Sequence, residues 1–422
     1  MISSADRLIQ ISGSGCQPGR GFDLVDYQLV DADQRRVYTV YGRLPQGHFD
    51  PDMGSSFNKI RHLLQSKIDE LPPTASTVEI SPEYDILSAG GEPPLQMDPS
   101  PDPYPRLAGF PSLAAAHTIR WDHLIEEERL DQQIDLCSYY TRTQGRKQVI
   151  FKYSAVPDWF GWLWRELVLY VQLPKHPFTV PFDRIVTDES GHRILGLTIA
   201  YVKGGTLRDS PPTIFKLKYL HQLTSVIDDL NLKYGVHHSD IHPGNILFDK
   251  ATESIQLIDF GFSSRITSDR PELADRADTK GVAFTIYEIL TGDYSHRDAV
   301  CEWPEIDIVV NMKEWQLRDG IKLDASVDEF RLQLTNWLEY RADLSPIGHY
   351  TACPEHVADE LPLPRRPNKW SISPVTGIYD DEYDWEHRRI SWQRLPEYKL
   401  VHDVIYLANG KALEGELPCV DD

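Results

Sequence analysis

Cysteine is scarce. The five in 422 residues (Cys16, Cys137, Cys301, Cys353 and Cys419) are scattered and odd in number, and no two sit at metal-ligand spacing. A disulfide framework is therefore not expected, and a reducing intracellular compartment is. Positive charge is also short: 43 Lys and Arg against 64 Asp and Glu leave a net charge of −21. So acidic a chain lacks the basic face that nucleic acids and anionic membranes require, and neither is expected as a partner. No apolar run reaches the ~18 residues of a bilayer span. The start, Met1-Ile2-Ser3-Ser4-Ala5-Asp6-Arg7, is not that of a secretory leader. The cytoplasm is the expected location, with the nucleus left open.

What is present suits folded domains. Hydrophobic residues at 41% and charged residues at 25% exclude a disordered or collagen-like chain. The length suggests two or three units. Residues 1–88 read as an N-terminal α/β extension. Within it, residues 22–44 alternate as a strand pair about the turn Asp31-Ala32-Asp33-Gln34. A helix then carries Ile60, Leu63, Leu64 and Ile68 and stops before Pro72-Pro73. Residues 89–117 hold Pro93-Pro94 and Pro99, Pro101, Pro103 and Pro105, a density that forces extended linker. Residues 118–205 are strand-rich, with one aromatic helix over 158–173. Residues 206–340 are mainly helical. Ile214, Leu217, Leu220, Leu223, Ile227 and Leu230 form the stripe of one such helix, with Gly235 as its stop. Residues 341–422 read as an irregular tail. Its Trp370, Trp385 and Trp392 suit packing, and its acidic run at 380–386 suits a solvated face.

The residues with the clearest chemistry lie at 236–261. His238-Ser239-Asp240-Ile241-His242-Pro243-Gly244-Asn245 follows a short apolar strand, and Asp259-Phe260-Gly261 follows another. The polar turn between them closes a hairpin, so two carboxylates and a carboxamide converge at one mouth. Hard oxygen donors of this kind suit Mg²⁺, which takes few protein oxygens together with phosphate oxygens. A carboxylate beside such a site can orient a hydroxyl nucleophile and accept its proton.

This ordered pair of motifs resembles the protein-kinase-like superfamily, in the pattern His-x-Asp-x-x-x-x-Asn followed by Asp-Phe-Gly. The resemblance implies that Asp240 is the catalytic-loop base, that Asn245 and Asp259 hold Mg²⁺, and that His238 braces the loop. Val149-Ile150-Phe151-Lys152 ends in the family's strand lysine, which holds ATP phosphates. Glu166, on the aromatic helix, matches its ion-pair partner. The run from Leu197 to Leu207 resembles the hinge, where the backbone of Ala200 and Val202 bonds adenine. Asp278 matches the residue that caps the catalytic-loop backbone from the central helix.

The pattern also departs from the family. No glycine occurs between Phe110 and Gln144, where a glycine-rich phosphate loop belongs. Arg129, Gln132 and Gln133 are the candidate donors in its place. Ser239 stands where many regulated protein kinases have a phosphate-receiving arginine. His242 stands where a lysine is usual, and Asp-Ile-His-Pro-Gly-Asn resembles kinases of the aminoglycoside and choline type. Sixteen residues separate Gly261 from Asp278, with no Ala-Pro-Glu.

The expected fold is α+β and two-lobed, with a β-rich small lobe at 118–205 and a helical large lobe at 206–340. The expected activity is ATP- and Mg²⁺-dependent phosphoryl transfer to a hydroxyl on a protein or small molecule, foremost as an atypical Ser/Thr protein kinase. The alternatives are a small-molecule kinase and a non-catalytic pseudokinase that binds protein partners through its extension or tail.

Overall fold

The computed structural model describes residues 8–18, 22–32, 35–45, 53–72, 75, 77–90, 104–154, 160–188, 190–267, 277–298, 304–363 and 419–420. The Pro-rich run at 91–103, the acidic run at 380–386 and Trp370, Trp385 and Trp392 lie outside the described residues. The protein is a mixture of curled β-sheet and helices. Its described residues fall into two compact units. One holds the described positions up to Gly161 together with Arg184–Thr198 and those from Leu363 onward; the other is Trp162–Asp183 with Ile199–Pro362.

The first unit contains two sheets. The N-terminal sheet has the order β1 (Leu8–Pro18), β2 (Phe22–Asp31), β3 (Arg36–Pro45), β4 (Thr77–Ile80), β5 (Ile86–Ala89). The strand pair expected at 22–44 is β2–β3, antiparallel from Phe22↔Pro45 to Asp31↔Arg36. The expected helix is α1 (Met53–Lys67). Its stripe residues Ile60 and Leu64, with Ile68 beyond, pack in one core with Tyr27, Leu29, Tyr38, Val40, Val78 and Ile80. Burial of these side chains drives the helix onto the sheet.

The second sheet is built from β6 (Thr118–Arg120), β7 (Ile125–Asp131), β8 (Ile134–Thr141), β9 (Gly145–Tyr153), β10 (Phe182–Thr187) and β11 (Ile194–Ala200). Between β9 and β10 comes α2 (Phe160–Gln172). On one face, Cys137, Tyr139, Val149, Phe151, Tyr153 and Leu195 form a core with Trp121. In β9, Lys152 alternates with these residues and stands opposite Ile134 of β8. Successive strand residues point to opposite faces, so Lys152 is on the other side of the sheet.

The second unit is mainly helical. Its elements include β12 (Ile214–Phe215), α3 (Leu217–Asp228), β13 (Val236–His237), β14 (Ile246–Asp249), β15 (Ser254–Leu257), β16 (Ser264–Arg265) and α4 (Asp278–Thr291). Two short helices, α5 (Ser295–Asp298) and α6 (Asp307–Val310), lead to β17 (Lys322–Leu323) and α7 (Val327–Asp343). α4 is buried on nearly every side: its apolar residues Val282, Phe284, Ile286, Ile289 and Leu290 are enclosed, and so are the polar Asp278, Lys280, Thr285 and Glu288. α7 begins with a capping box: Glu329 N–H donates to Ser326 Oγ at 3.2 Å and Ser326 N–H to Glu329 Oε2 at 2.7 Å. Residues 349–361 return across this unit. Tyr350 is buried there, and Trp164 Nε1 donates to the Leu361 carbonyl at 2.8 Å.

One close approach fixes the run after β11. Phe248 N–H donates to the Gly205 carbonyl at 3.0 Å and Leu207 N–H to the Ile246 carbonyl at 2.8 Å. Between them, a Cβ on Gly204 would lie 1.3 Å from the Phe248 carbonyl oxygen. Only glycine permits that approach. Gly204→Ala is expected to destabilise the protein by about 3 kcal/mol or more in denaturant titration. A loss below about 1 kcal/mol would contradict this packing.

Candidate active site

The site is built on the hairpin β14–β15. Its four pairs run from Ile246↔Leu257 to Asp249↔Ser254. Asn245 enters the hairpin and Asp259 leaves it, and Ile258 N–H donates to the Asn245 carbonyl at 3.0 Å. Both functional side chains are thus carried to one mouth by strand pairing. The preceding loop is held to the same place. The ring of His238, fully buried, has its Nε2 3.0 Å from the Ile258 carbonyl. A carbonyl only accepts, so Nε2 carries the proton. Burial, the largest influence, lowers the pKa of His238 and keeps it neutral.

Two non-glycine residues here have left-handed backbone: Ser239 at φ 64° and Asp259 at φ 68°. Each such residue costs on the order of 1–2 kcal/mol, and such strain persists only where its surroundings enforce it. At Ser239 the enforcement is Asp278, at the start of α4. Its carboxylate accepts the N–H of Ser239 at 2.8 Å and of His238 at 2.9 Å, and Asn231 Nδ2 at 2.8 Å. Burial pushes the Asp278 pKa up. The imidazole of His237, 3.9 Å away, together with the Asn231 donor, outweighs burial and holds it at about 2. Asp278 therefore has the capping role that its position implies. Ser239 is 1% exposed, so its side chain is not presented to a phosphate group.

Asn245 Nδ2 donates both to the Asp240 carbonyl at 2.9 Å and to Asp240 Oδ2 at 3.0 Å. Both amide hydrogens are used, which leaves Oδ1, the atom a divalent cation would take. Asp259 Oδ1 accepts the Gly261 N–H at 3.2 Å. An amide oxygen and a carboxylate at one hairpin mouth fit Mg²⁺, which completes its shell with water and phosphate. His242 Nε2 lies 3.5 Å from Asp240 Oδ2, and its Nδ1 accepts the Gly244 N–H at 3.1 Å. That second contact puts the proton on Nε2, so a neutral His242 presents a donor to Asp240.

The remaining candidates stand as follows. Lys152 is 7% exposed and Glu166 is 3% exposed. Charged groups so deeply buried require charged or hydrogen-bonding partners. Ala200 N–H donates to the Pro181 carbonyl at 2.9 Å. Val202 is half-buried just beyond β11. Arg129 is corrected. It is 8% exposed, donates to the Ala32 carbonyl at 3.0 Å, and meets Glu126 at 3.3 Å and Asp135 at 3.4 Å. A guanidinium so engaged is no donor to phosphates. The β7–β8 turn itself is Gln132-Gln133, without glycine.

Three contributors were missed in the sequence. Asn231 links Asp278 to the Val236 carbonyl at 2.8 Å and accepts from Arg341 of α7 at 2.9 Å. It lies in a π-helical turn, Asp229–Lys233, that no apolar period announces. Arg297 Nη1 donates to the Ile241 carbonyl at 2.7 Å, and its Nε to Glu288 Oε1 at 2.7 Å. This pair braces the loop next to Asp240. Tyr170 is fully buried, and its hydroxyl has no hydrogen-bond partner among the described residues. Burial first, then the charges of Glu166 and Asp259, raise its pKa well above that of a free tyrosine. Both carboxylates therefore lie within electrostatic reach of one ring. Its place in α2, four residues after Glu166, was the available signal.

Comparison with known proteins places the loop and hairpin of this site within a family match. The ABC1 atypical kinase-like domain family matches residues 173–277. The serine/threonine-protein kinase CHK1 of Saccharomyces cerevisiae is 28% identical over 159 residues, covering 30% of this chain and 29% of that protein. Glycogen synthase kinase 3 of Trypanosoma brucei brucei is 35% identical over 66 residues, 15% of this chain and 19% of that protein. The chain thus spans under a third of the length of either relative. Among the described residues, no helix is long and apolar enough to cross a membrane.

The Asp278 shift has a pH consequence. A carboxyl held at about 2 in the fold, against an ordinary 3.8, stabilises the fold above about pH 4. That contribution, about 2 kcal/mol, is lost as pH falls through about 2. Unfolding free energies measured from pH 5 down to about pH 2.5 are expected to fall less steeply in Asp278→Asn than in wild type. Equal slopes would contradict the assignment.

Proposed function

We propose that this divergent member of the protein-kinase-like superfamily is an ATP- and Mg²⁺-dependent phosphotransferase that moves the γ-phosphoryl group to a hydroxyl. The observation that carries the reading is the hairpin mouth. There Asn245 spends both amide hydrogens on Asp240, and Asn245 and Asp259 flank one strand pair. In this reading residues 118–205 and 206–340 form the small and large lobes.

Each residue then has a stated task. Asn245 Oδ1 and the Asp259 carboxylate hold Mg²⁺, which when bound neutralises charge on the phosphate oxygens. Lys152 holds the α- and β-phosphates, and Glu166 orients Lys152. The Ala200 carbonyl and the Val202 backbone receive adenine. Asp240 orients the acceptor hydroxyl and accepts its proton. Asn245 fixes the Asp240 carboxylate by donating to it, His242 stands beside the same carboxylate, and Asp278 fixes the loop beneath. Positioning and charge stabilisation supply most of the rate in such a reaction.

The acceptor is foremost a Ser or Thr hydroxyl of a protein, in an atypical protein kinase. A small-molecule alcohol is the second reading, favoured by His242 beside Asp240 and by the short stretch between Gly261 and Asp278. The glycine-free β7–β8 turn favours a third, a protein that binds partners without turnover. Labelled ATP with Mg²⁺, offered against peptide and small-alcohol panels, separates the three. Wild type is expected to label one panel, and Asp240→Asn to reduce the rate by about 10²–10⁴-fold. No transfer to either panel, or equal transfer by the variant, would overturn the reading.

A further inference from the structure

A second charged cluster, outside the proposed chemistry, lies on the face of β7–β9 opposite Lys152. It begins with an irregularity in the ladder. Pairing runs Glu126↔Cys137, then Glu128↔Leu136 and Arg129↔Asp135, so Glu127 is an extra residue. In a regular strand Glu126 and Arg129, three apart, would point to opposite faces. The bulge turns both to the side of Asp135, Cys137, Phe151 and Tyr153. There they meet a residue from the N-terminal sheet. Arg35, in the β2–β3 turn, pairs with Asp135, and its Nη2 lies 3.8 Å from Glu126 Oε2. Its guanidinium also lies 4.2 Å from the Tyr153 ring centroid. Arg129 answers by donating to the Ala32 carbonyl of the same turn at 3.0 Å. The four side chains are 8% exposed or less. Two guanidiniums face two carboxyl groups.

We propose that Arg35 is a positioning residue for the β7–β8 hairpin. Through its β2–β3 turn, the N-terminal sheet locks the register of the strand pair whose turn replaces a glycine-rich loop. Buried ion networks contribute little net stability, and their best-attested use is to select one register. A bulged hairpin has a competing register, and a one-residue slip would move every side chain to the other face. The lock prevents that slip without touching the Lys152 face. The consequence for nucleotide rests on the phosphotransferase reading; the lock itself does not.

The test uses the full chain and Arg35→Lys, which keeps the charge and loses the planar fork and the ring contact. Three quantities are read: amide hydrogen exchange over β7–β8 and over α3, the KM for ATP with Mg²⁺, and kcat. The lock predicts exchange about tenfold faster in β7–β8 with α3 unchanged. It also predicts KM about tenfold higher with kcat unchanged. If Arg35→Lys does not fold, Arg35→Gln with Asp135→Asn keeps the cluster neutral and is read in the same way. Unchanged exchange in a folded variant overturns the lock. Faster exchange with unchanged KM overturns the positioning role. A wild type with no ATP turnover overturns the phosphotransferase reading instead, and exchange alone then decides the lock.

Discussion

The buried carboxylate of Asp278 is the contact on which the candidate site depends. It accepts the two consecutive backbone N–H groups of His238 and Ser239, and so forces Ser239 into left-handed backbone. Asp240 leaves that strained turn aimed at Asn245. One helix start, at the head of the central helix α4, therefore determines where the candidate base sits. Asn231 and Arg341 extend the same network to α7, so the loop is referenced to two helices. Asp278 itself accepts three hydrogen bonds, from His238 N–H, Ser239 N–H and Asn231 Nδ2, and these tie the loop to the helix.

The second constraint is strand pairing. Asn245 and Asp259 are fourteen positions apart in sequence and meet because β14 and β15 pair between them. His238 ties the loop to Ile258, one residue before Asp259. The candidate base and the candidate metal donors are thus placed by strand pairing together with side-chain bonds from His238 and Asp278 to the backbone.

These features explain what could be read in advance. Asp240, Asn245 and Asp259 stood out because spacing between polar residues in short apolar strands survives in the sequence itself. Asp278 could be placed for the same reason. Helix stripes such as Ile60, Leu64 and Ile68 were legible because burial writes a period. The Arg129 expectation failed because a bulge at Glu127 changes which face a residue takes, and nothing in local composition marks a bulge. Asn231 was hidden by a π-helical turn. β1 was missed because Ser12-Gly13-Ser14-Gly15 has poor strand propensity, and its pairing with β2 supplies what propensity lacks. Arg35 was invisible as a functional residue because its partner, Asp135, lies 100 positions away.

In the proposed reading, the hairpin mouth binds a nucleotide through a divalent cation. Titration calorimetry of ATP, with and without Mg²⁺, on wild type and on Asp259→Asn tests it most directly. Wild type is expected to bind only when Mg²⁺ is present, and the variant to lose that binding although it remains folded. Absence of wild-type binding at about millimolar ATP, or equal binding by Asp259→Asn, would contradict it.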